Sequence, residues 1–404
     1  MNLLFLTGLF PSVSYDKIVS DSKGSIQYAA DALQKAIIHG LAHWTDKLQI
    51  INLPFIGSYP KRYKKSHVST FPFTINTEEK EAKGLNVGFC NIAGIKQISR
   101  FYNSYRALSE NVDDTSNVIL VYAITSPFLK ACEKIKRRNP KTKVVLIVPD
   151  LPEYMSSNDS ILVRILKQIN YHFLDRLYAC VDGYVLLSQY MLDRLPINNK
   201  PWTVVEGIYN PIQEQSNFQS ASLKGEKYIL YTGTLARRYG IMRLVEAFTK
   251  VKEPSVKLYI CGDGDSKEEI IRYSKLDSRI IYRGQVMREE ALILQRNATL
   301  LVNPRTPEGE FTKYSFPSKT MEYLASGVPT LLYRLPGIPE EYYEYCYSLT
   351  DLSIQALTEA IEVIIRKDES ELYEFGLRAK TFIEDQKNSY QQTKKIIELI
   401  DRLG

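Results

Sequence analysis

Short apolar runs, each followed by a turn and a helical pattern, recur along the whole chain. Residues 118–122 and 144–148 are the clearest examples in the first half, and residues 228–232 open a similar series in the second half. Strands without polar alternation are typical of parallel sheets that helices cover on both faces. Because strands and helices alternate in each half, the sequence predicts an α/β protein with two doubly wound sheets facing across a cleft.

The length of the chain indicates the number of domains. At 404 residues it can form two domains of roughly 200 residues, each with its own core. Its 44% hydrophobic and 24% charged content is that of an ordinary globular protein and excludes long disordered or low-complexity regions. Residues 213–227 are polar and indicate a linker. We therefore expect a first domain over residues 1–211 and a second domain from residue 212.

The net charge of +6 is a mild excess of positive charge. A nucleic-acid-binding surface would call for a denser basic stripe, so nucleic acid is not an expected partner. An anionic nucleotide or a membrane surface accounts for the charge at least as well. The basic, tyrosine-containing loop over residues 57–66 is either solvated or lies on anionic headgroups, where each cation contributes about 1 kcal/mol. Peripheral membrane contact is therefore one of two open alternatives.

Cysteine and histidine usage indicates the compartment. The five cysteines are odd in number and widely spaced, which predicts free thiols in a reducing cytoplasm. The histidines have no metal-ligand spacing with them, so no metal site is expected. Residues 1–10 lack a basic start and lead at once into a polar loop, which predicts a buried strand and not a signal peptide. We expect a cytoplasmic protein, either free or peripheral at the inner face of the membrane.

Residues 305–330 combine a polar loop, a short helix and the start of a strand. Ser318 is a good N-cap, an apolar stripe at helical spacing follows it, and Gly327 ends the helix. The free N–H groups and the dipole at such a helix start favour phosphate. Glu322 lies one turn inside the helix, where its carboxylate can accept from two ribose hydroxyls. The pattern therefore predicts a nucleotide cradle.

A second glycine turn follows the strand that opens the second half. Gly233 lets the backbone approach a ligand, and Arg237 and Arg238 bring positive charge to the same loop. Both arginines either hold a diphosphate or are solvated loop residues. Asp263 and Asp265 follow the next strand, and we interpret them as capping or exposed residues and not as metal ligands. Neither a dinucleotide fingerprint nor a P-loop is complete.

These two segments resemble the donor-binding motifs of GT-B glycosyltransferases, in the large retaining family that includes glycogen- and sucrose-synthase-like enzymes and bacterial polysaccharide enzymes of the family 4 type. The family pattern is Glu, seven residues, Glu, then Ala-Ser-Gly-x-Pro, and Glu322 with residues 325–329 fits its second half. Gly233 and Gly240 match a second motif, Gly-Arg-Leu-x-x-x-Lys-Gly. The resemblance implies two Rossmann-like domains, the second over residues 212–384, with a last helix in residues 385–404 packing back on the first.

The resemblance also implies an activity. A family member moves a sugar from a UDP- or GDP-type nucleotide-sugar to a glycan or lipid-linked acceptor, with retention, in the synthesis of cell-surface polysaccharide or glycoconjugates. Neither a cofactor nor a metal is implied, because helix dipoles and basic side chains stabilise the leaving diphosphate. Asp150 matches the position near the reacting sugar, with helix capping as its structural alternative, and Glu153 follows it. Gly24 and Ser25 match a glycine pair that faces the donor and the acceptor.

The chain departs from the family motifs at three positions. The first Glu falls on Tyr314, the expected Arg on Thr234 and the expected Lys on Tyr239. Glu308 or Glu310 is the alternative contact for the transferred sugar, and the two neighbouring arginines are the alternative cations. The predicted catalytic residues are Asp150, Glu322 and Arg238. The predicted donor-binding residues are Gly24, Gly233, Thr234, Arg237, Arg238, Tyr314, Ser315, Phe316, Pro317, Ser318, Lys319 and Glu322.

Two other functions remain compatible with these residues. The substituted motif positions are also expected in a non-catalytic GT-B binding module that supports a partner glycosyltransferase. A sugar-nucleotide epimerase of the same architecture is the third alternative, although the Ala-Ser-Gly-Val-Pro segment fits a transferase better.

Overall fold

The computed structural model describes residues 2–24, 26–114, 116–151, 174–209 and 226–404. Ser25, Glu153 and most of the predicted linker lie outside the described residues. The chain forms two compact units. The N-unit contains Met1–Ile208 and Ser389–Gly404, and the C-unit contains Tyr209–Asn388. The sequence had placed the corresponding boundaries at residues 211 and 384.

The described part of the N-unit contains an eight-stranded sheet in the order β10-β9-β8-β7-β1-β2-β5-β4. All its neighbouring strands are parallel except β4 and β5, which pair antiparallel at one edge. The strands of this unit are β1 (Asn2–Thr7), β2 (Leu48–Asn52), β3 (His67–Val68), β4 (Phe71–Asn76), β5 (Glu81–Asn86), β6 (Phe89–Cys90), β7 (Asn117–Tyr122), β8 (Lys143–Val148), β9 (Gly183–Leu186) and β10 (Trp202–Val204). Its first four helices are α1 (Tyr15–Asp21), α2 (Tyr28–Trp44), α3 (Lys96–Asn111) and α4 (Ser126–Arg138).

The described part of the C-unit contains a six-stranded, all-parallel sheet in the order β13-β12-β11-β14-β15-β16. Its strands are β11 (Tyr228–Thr232), β12 (Lys257–Cys261), β13 (Ile280–Gly284), β14 (Leu300–Asn303), β15 (Thr330–Tyr333) and β16 (Tyr347–Leu349). Its helices are α5 (Ile241–Thr249), α6 (Lys267–Leu276), α7 (Arg288–Arg296), α8 (Ser318–Ala325), α9 (Ile354–Ile365) and α10 (Glu369–Gln386).

The central strands are buried because their apolar residues meet helices on both faces. All six residues of β1 and of β7 are buried, as expected for continuous apolar runs in a parallel sheet. The predicted doubly wound α/β architecture is confirmed in both units. The loop after β1 is less regular than predicted, since it contains the extra helix α1 before α2 begins at Tyr28.

The last helix of the chain, α11 (Ser389–Asp401), is part of the N-unit. Ile396, Leu399 and Ile400 are buried in the same apolar core as Leu3 of β1. The contact with α2 is close, because a Cβ at Gly40 would lie 2.1 Å from the Ser389 carbonyl oxygen. The last helix of the chain therefore completes the apolar core of the N-unit.

The five cysteines are free, as predicted. Burial raises the pKa of Cys180 and of Cys346 to about 12, so these two thiols stay protonated at neutral pH. Among the described helices, none is long and apolar enough to cross a membrane.

Candidate functional site

Two glycine turns pack against each other at the carboxyl ends of β11 and β12. Gly262 has φ +143°, and a Cβ there would lie 1.8 Å from the Gly233 carbonyl oxygen. A Cβ at Gly264 would lie 2.5 Å from the Leu235 carbonyl oxygen. The two turns therefore touch backbone to backbone, which supports the interpretation of Gly262 and Gly264 as turn residues. This contact positions the loop after β11.

The substitution Gly262→Ala is expected to destabilise the C-unit by at least about 2 kcal/mol, because a Cβ would meet rigid backbone in a conformation that L residues rarely adopt. Urea unfolding followed by circular dichroism measures the change. Gly284→Ala is the matched control, because Gly284 also has positive φ, +73°, but has open space around it. Its cost should be limited to about 1 kcal/mol of backbone strain. Equal losses in the two variants would contradict the close contact.

The helix α8 begins at Ser318, as predicted, but Ser318 is not its N-cap. Pro317 occupies the N-cap position, with φ −72° and ψ 106°, and no side chain of the described residues caps the helix start. The proline ring fixes φ just before the first turn and has no N–H to satisfy. The Thr320 N–H donates to the Pro317 carbonyl oxygen at 2.8 Å, while the N–H groups of Ser318 and Lys319 keep the capacity to bind an anion, which a capping serine would have reduced.

Glu322 is held from two sides. Its Oε1 accepts from Gln295 Nε2 on α7 at 2.7 Å and from Lys319 Nζ at 3.2 Å. Gln295 Nε2 also lies 3.0 Å from Thr232 Oγ1, at the end of β11. Among the described residues, none donates a hydrogen bond to the other carboxylate oxygen, Oε2. The arrangement fixes the carboxylate and leaves one oxygen to accept from a ligand.

The environment of Glu322 also keeps it ionised. Burial acts to raise the pKa of this carboxyl, but the charge of Lys319 and the hydrogen bonds from Gln295 and Lys319 together hold the pKa below its usual value. A carboxylate in this state is a stronger acceptor for hydroxyl groups than a neutral acid.

Gln295 and Tyr323 support the site and were missed in the sequence. Tyr323 is fully buried; its hydroxyl accepts from the Thr232 N–H at 2.8 Å and lies 3.2 Å from the Thr232 carbonyl oxygen. It therefore ties α8 to the end of β11. Gln295 lies outside the motifs of the sequence, and Tyr323 lies within residues 305–330 without a predicted role, so the signal that identifies both residues is tertiary.

The two arginines of the loop after β11 have different partners. Arg237 pairs with Glu269, and its N–H donates to Asp265 Oδ1 at 2.8 Å. Asp265 thus contacts this loop and does not cap the helix α6; the residue is exposed, which is the second of the two predicted alternatives. The guanidinium of Arg238 lies 5.0 Å from the Tyr239 ring centroid, and among the described residues it has no carboxylate partner. Arg238 is therefore the cation that remains available for a ligand.

Both aspartates of this turn have contacts within the protein. The second, Asp263, lies with its Oδ1 3.8 Å from Lys267 Nζ. Within the described ranges, no group of three or more His, Cys, Asp or Glu side chains has a geometry suited to a metal ion.

The loop before α8 differs from the predicted donor-binding surface. Tyr314 is buried, with its hydroxyl 3.4 Å from Glu310 Oε1. The Phe316 ring packs on Tyr342 with centroids 5.2 Å apart, so its side chain belongs to the core and only its backbone can face a ligand. Ser315 Oγ donates to the Phe311 carbonyl oxygen at 3.0 Å and is likewise engaged within the loop.

Arg305 is a half-buried cation in this loop that the sequence did not single out. Its guanidinium lies 4.9 Å from the Phe311 ring centroid and 5.6 Å from that of Tyr239. One nitrogen donates to Ser315 Oγ at 2.9 Å, while Nε has no hydrogen-bond partner among the described residues. Burial lowers the pKa of Arg305, and the nearby charge of Arg238 lowers it further. The two guanidinium groups are therefore close enough to interact.

The two predicted site residues of the N-unit, Asp150 and Gly24, line a pocket of about 930 Å³. Asp150 is an exposed residue of its wall, and partial desolvation in the pocket raises the pKa of its carboxyl. Gly24 lies in the same wall, but a Cβ there would meet nothing within 4 Å, so no close contact requires glycine. The helix-capping alternative for Asp150 falls on residues outside the described ranges.

The fold defines the class of protein. The chain is similar to sucrose-phosphate synthase from Thermosynechococcus elongatus, with a TM-score of 0.63, 14% identity and coverage of 100% of this chain and 99% of that one. It is also similar to HepE from Anabaena, solved in complex with UDP, with a TM-score of 0.62, 14% identity and full coverage of both chains. The chain thus has the GT-B fold of two Rossmann-like domains, as predicted.

The sequence comparisons identify a family domain within the C-unit. Residues 226–367, within the C-unit, match the family described as "Glycosyl transferases group 1". The C-unit is therefore a glycosyl transferases group 1 domain, which confirms the predicted family. N-acetyl-alpha-D-glucosaminyl L-malate synthase from Bacillus anthracis is 27% identical over 154 residues, or 35% of this chain. The match spans 38% of the length of that curated relative.

Proposed function

We propose that the chain is a glycosyltransferase whose C-unit binds a nucleotide-sugar and whose N-unit binds the acceptor. The observation that carries this proposal is the state of Glu322. Its carboxylate is ionised, fixed through Oε1 and free at Oε2, and it lies one turn from a helix start that no described side chain caps. This combination suits a ribose beside a diphosphate.

The donor site follows from the same geometry. Glu322 accepts from the ribose hydroxyls. The backbone N–H groups of Ser318 and Lys319, with the side chains of Lys319 and Arg238, hold the diphosphate and stabilise it as it leaves. Donors carrying UDP are the first candidates, because the structurally similar HepE was solved in complex with UDP. GDP-sugars are the second. No metal is required in this proposal, because basic groups take that role.

We further propose retention at the anomeric carbon, transfer to a glycan or lipid-linked acceptor, and a role in making cell-surface polysaccharide or glycoconjugates. Location in the cytoplasm, with peripheral contact at the inner face of the membrane, belongs to the same proposal. Asp150 in the pocket of the N-unit would contact the acceptor or the reacting sugar. The support is the resemblance of the motifs, together with the raised pKa of this carboxyl.

Two measurements test the proposal. Calorimetry with UDP and GDP reports nucleotide binding, and mass spectrometry of a panel of nucleotide-sugars reports turnover with and without acceptors. We expect binding of one nucleotide and turnover of one of its sugar derivatives. Binding without turnover would favour the non-catalytic module, for which Tyr314, Thr234 and Tyr239 are the motivation. Conversion of a donor without any acceptor would favour an epimerase.

Arg238→Ala is expected to weaken nucleotide diphosphate binding about 10-fold or more, because it removes a cation that contacts Tyr239 but has no carboxylate partner among the described residues. Arg237→Ala is the matched comparison and should change the affinity less than about 3-fold, because that guanidinium already pairs with Glu269. Titration calorimetry with UDP measures both. A larger loss in the Arg237 variant would reverse the assignment.

A further inference from the structure

The pocket of the N-unit contains two buried cations on one helix. Lys96 and Arg100 lie one turn apart at the start of α3, and both line the pocket. Their exposed fractions are 7% and 5%, which is far below the usual exposure of these residue types. Two neighbouring positive charges in this position raise the question of what neutralises them.

The acceptors of this pair among the described residues are backbone carbonyl groups. Arg100 donates to the carbonyl oxygens of Leu53 at 3.0 Å and Pro54 at 3.3 Å, and Lys96 donates to the carbonyl oxygen of Ile56. Within the described residues, neither cation has a carboxylate partner. Carbonyl groups compensate only part of the cost of burying two charges.

Aromatic rings fix the position of Arg100. Its guanidinium lies 4.9 Å from the Phe128 ring centroid, 5.2 Å from that of Phe55 and 5.3 Å from that of Phe89. A planar cation enclosed by three rings is held in place before any ligand binds. Pre-organisation of this kind lowers the entropy cost of binding.

Unpaired hydroxyl groups line the same pocket. The hydroxyl of Tyr122, which is 1% exposed, and the Oγ1 of Thr125 are buried and have no hydrogen-bond partner among the described residues. Thr125 is also the N-cap of α4, whose start at Ser126 lines the pocket. Buried hydroxyls usually have partners, so these two groups point to a ligand.

We propose that this pocket binds an anionic group, a phosphate or a carboxylate, through Lys96 and Arg100, with the hydroxyls of Tyr122 and Thr125 as further donors. Given the proposed glycosyltransferase function, on which this step rests, the anion belongs to the acceptor. The acceptor class is then a phosphorylated or carboxylated molecule and not a neutral sugar.

The other charged groups around Lys96 and Arg100 also favour the binding of an anion. Asp150 is the acidic residue of the described pocket wall, and Arg62 is a third cation in it. The nearby Asp31 is engaged, because it accepts from the Phe10 N–H at 2.7 Å and pairs with Lys35 at 2.7 Å. Burial, and then the charge of Arg100, lower the pKa of Lys96 to about 7. A bound anion would raise that pKa again.

The test uses the full chain and defined probes. Calorimetry with inorganic phosphate, glucose 6-phosphate, glucuronate and methyl glucoside measures anion binding directly, and UDP measures the C-unit separately. We expect the anions to bind and methyl glucoside to bind at least about 10-fold more weakly. Lys96→Gln should lose about 10-fold in phosphate affinity, Lys96→Arg should restore most of it, and UDP affinity should not change.

The control is Lys83→Gln, which removes one exposed lysine from the same unit outside the pocket. If Lys96→Gln does not fold, the wild-type chain offers an independent measurement. NMR of the lysine side-chain nitrogen atoms reports the pKa of Lys96 with and without phosphate, and phosphate should raise it. Absence of anion binding in the wild type, or equal phosphate affinity in Lys96→Gln, would overturn the inference.

Further measurements distinguish a sugar phosphate from a lipid diphosphate as the source of the anion. They also test the anion site and the glycosyltransferase function independently of each other. Geranyl diphosphate represents a lipid-linked acceptor, and tighter binding of it than of glucose 6-phosphate would assign the anion to a lipid diphosphate. Anion binding without sugar transfer to any probe would contradict the proposed glycosyltransferase function but still support the anion site. Equal rates of transfer to methyl glucoside and to glucose 6-phosphate would contradict the anionic acceptor but still support the glycosyltransferase function.

Discussion

Replacing Glu322 with alanine is expected to reduce kcat/KM for sugar transfer at least about 100-fold. The variant loses the acceptor of two ribose hydroxyls, and hydrogen bonds to a charged group contribute about 1.5–3 kcal/mol each. The loss should appear in nucleotide affinity too, because the ribose is present before and during transfer. Calorimetry with UDP and a turnover assay with the preferred donor measure the two effects.

Controls separate this effect from unfolding. Glu322→Ala leaves Gln295 and Lys319 without their shared acceptor, so circular dichroism must first show an intact fold. Glu322→Gln keeps the shape but loses the charge, and intermediate affinity is expected. Glu359→Ala removes an exposed carboxylate from α9 of the same unit and should behave as the wild type. Full activity of the Glu322→Ala variant would contradict the donor site.

The second large effect concerns stability and pH. In the folded chain the pKa of Lys96 is lowered from 10.5 to about 7. Between these values the unfolded chain binds a proton that the folded chain does not, so this group contributes stability that is complete above 10.5 and is lost as the pH falls towards 7. The Lys96→Met variant has no such loss. Relative to the wild type, its unfolding free energy should therefore increase as the pH falls through this window.

The expected change is about 1 kcal/mol per pH unit between about pH 7.5 and 9.5, and the difference should level off below pH 7. Urea unfolding of both proteins at several pH values measures it, and subtracting the two curves removes the contributions of other titrating groups. Lys83→Met, which removes an exposed lysine, should give a flat difference. A flat difference for Lys96→Met as well would show that its ammonium is not desolvated in the folded chain.

Local sequence patterns predicted the sheets and one helix well. The apolar runs at residues 118–122 and 144–148 became Asn117–Tyr122 and Lys143–Val148, because buried parallel strands leave a continuous apolar signal. The helix Ser318–Ala325 was also predicted, since its apolar spacing and the glycine after it are local features. Only the capping residue was wrong, because a proline before the first turn supplies the extended conformation.

Contacts between distant segments were beyond the reach of the sequence. Gln295 holds Glu322 across 27 residues, and Glu269 pairs with Arg237 across 32 residues. Phe316 was assigned to the donor site from its neighbours in the motif, but it packs in the core because Tyr342 lies beside it. Pairings of this type depend on tertiary packing and leave no periodic or motif signal.

The position of α11 also affects how the protein is made. The core of the N-unit includes Ile396, Leu399 and Ile400, so a ribosome must synthesise the whole C-unit before that core can close. During synthesis, the partner surface of α2 around Gly40 stays uncovered while the second unit emerges and folds. The folding order is therefore not the order of the chain: the C-unit can finish first, and the N-unit completes its fold after release of the last helix.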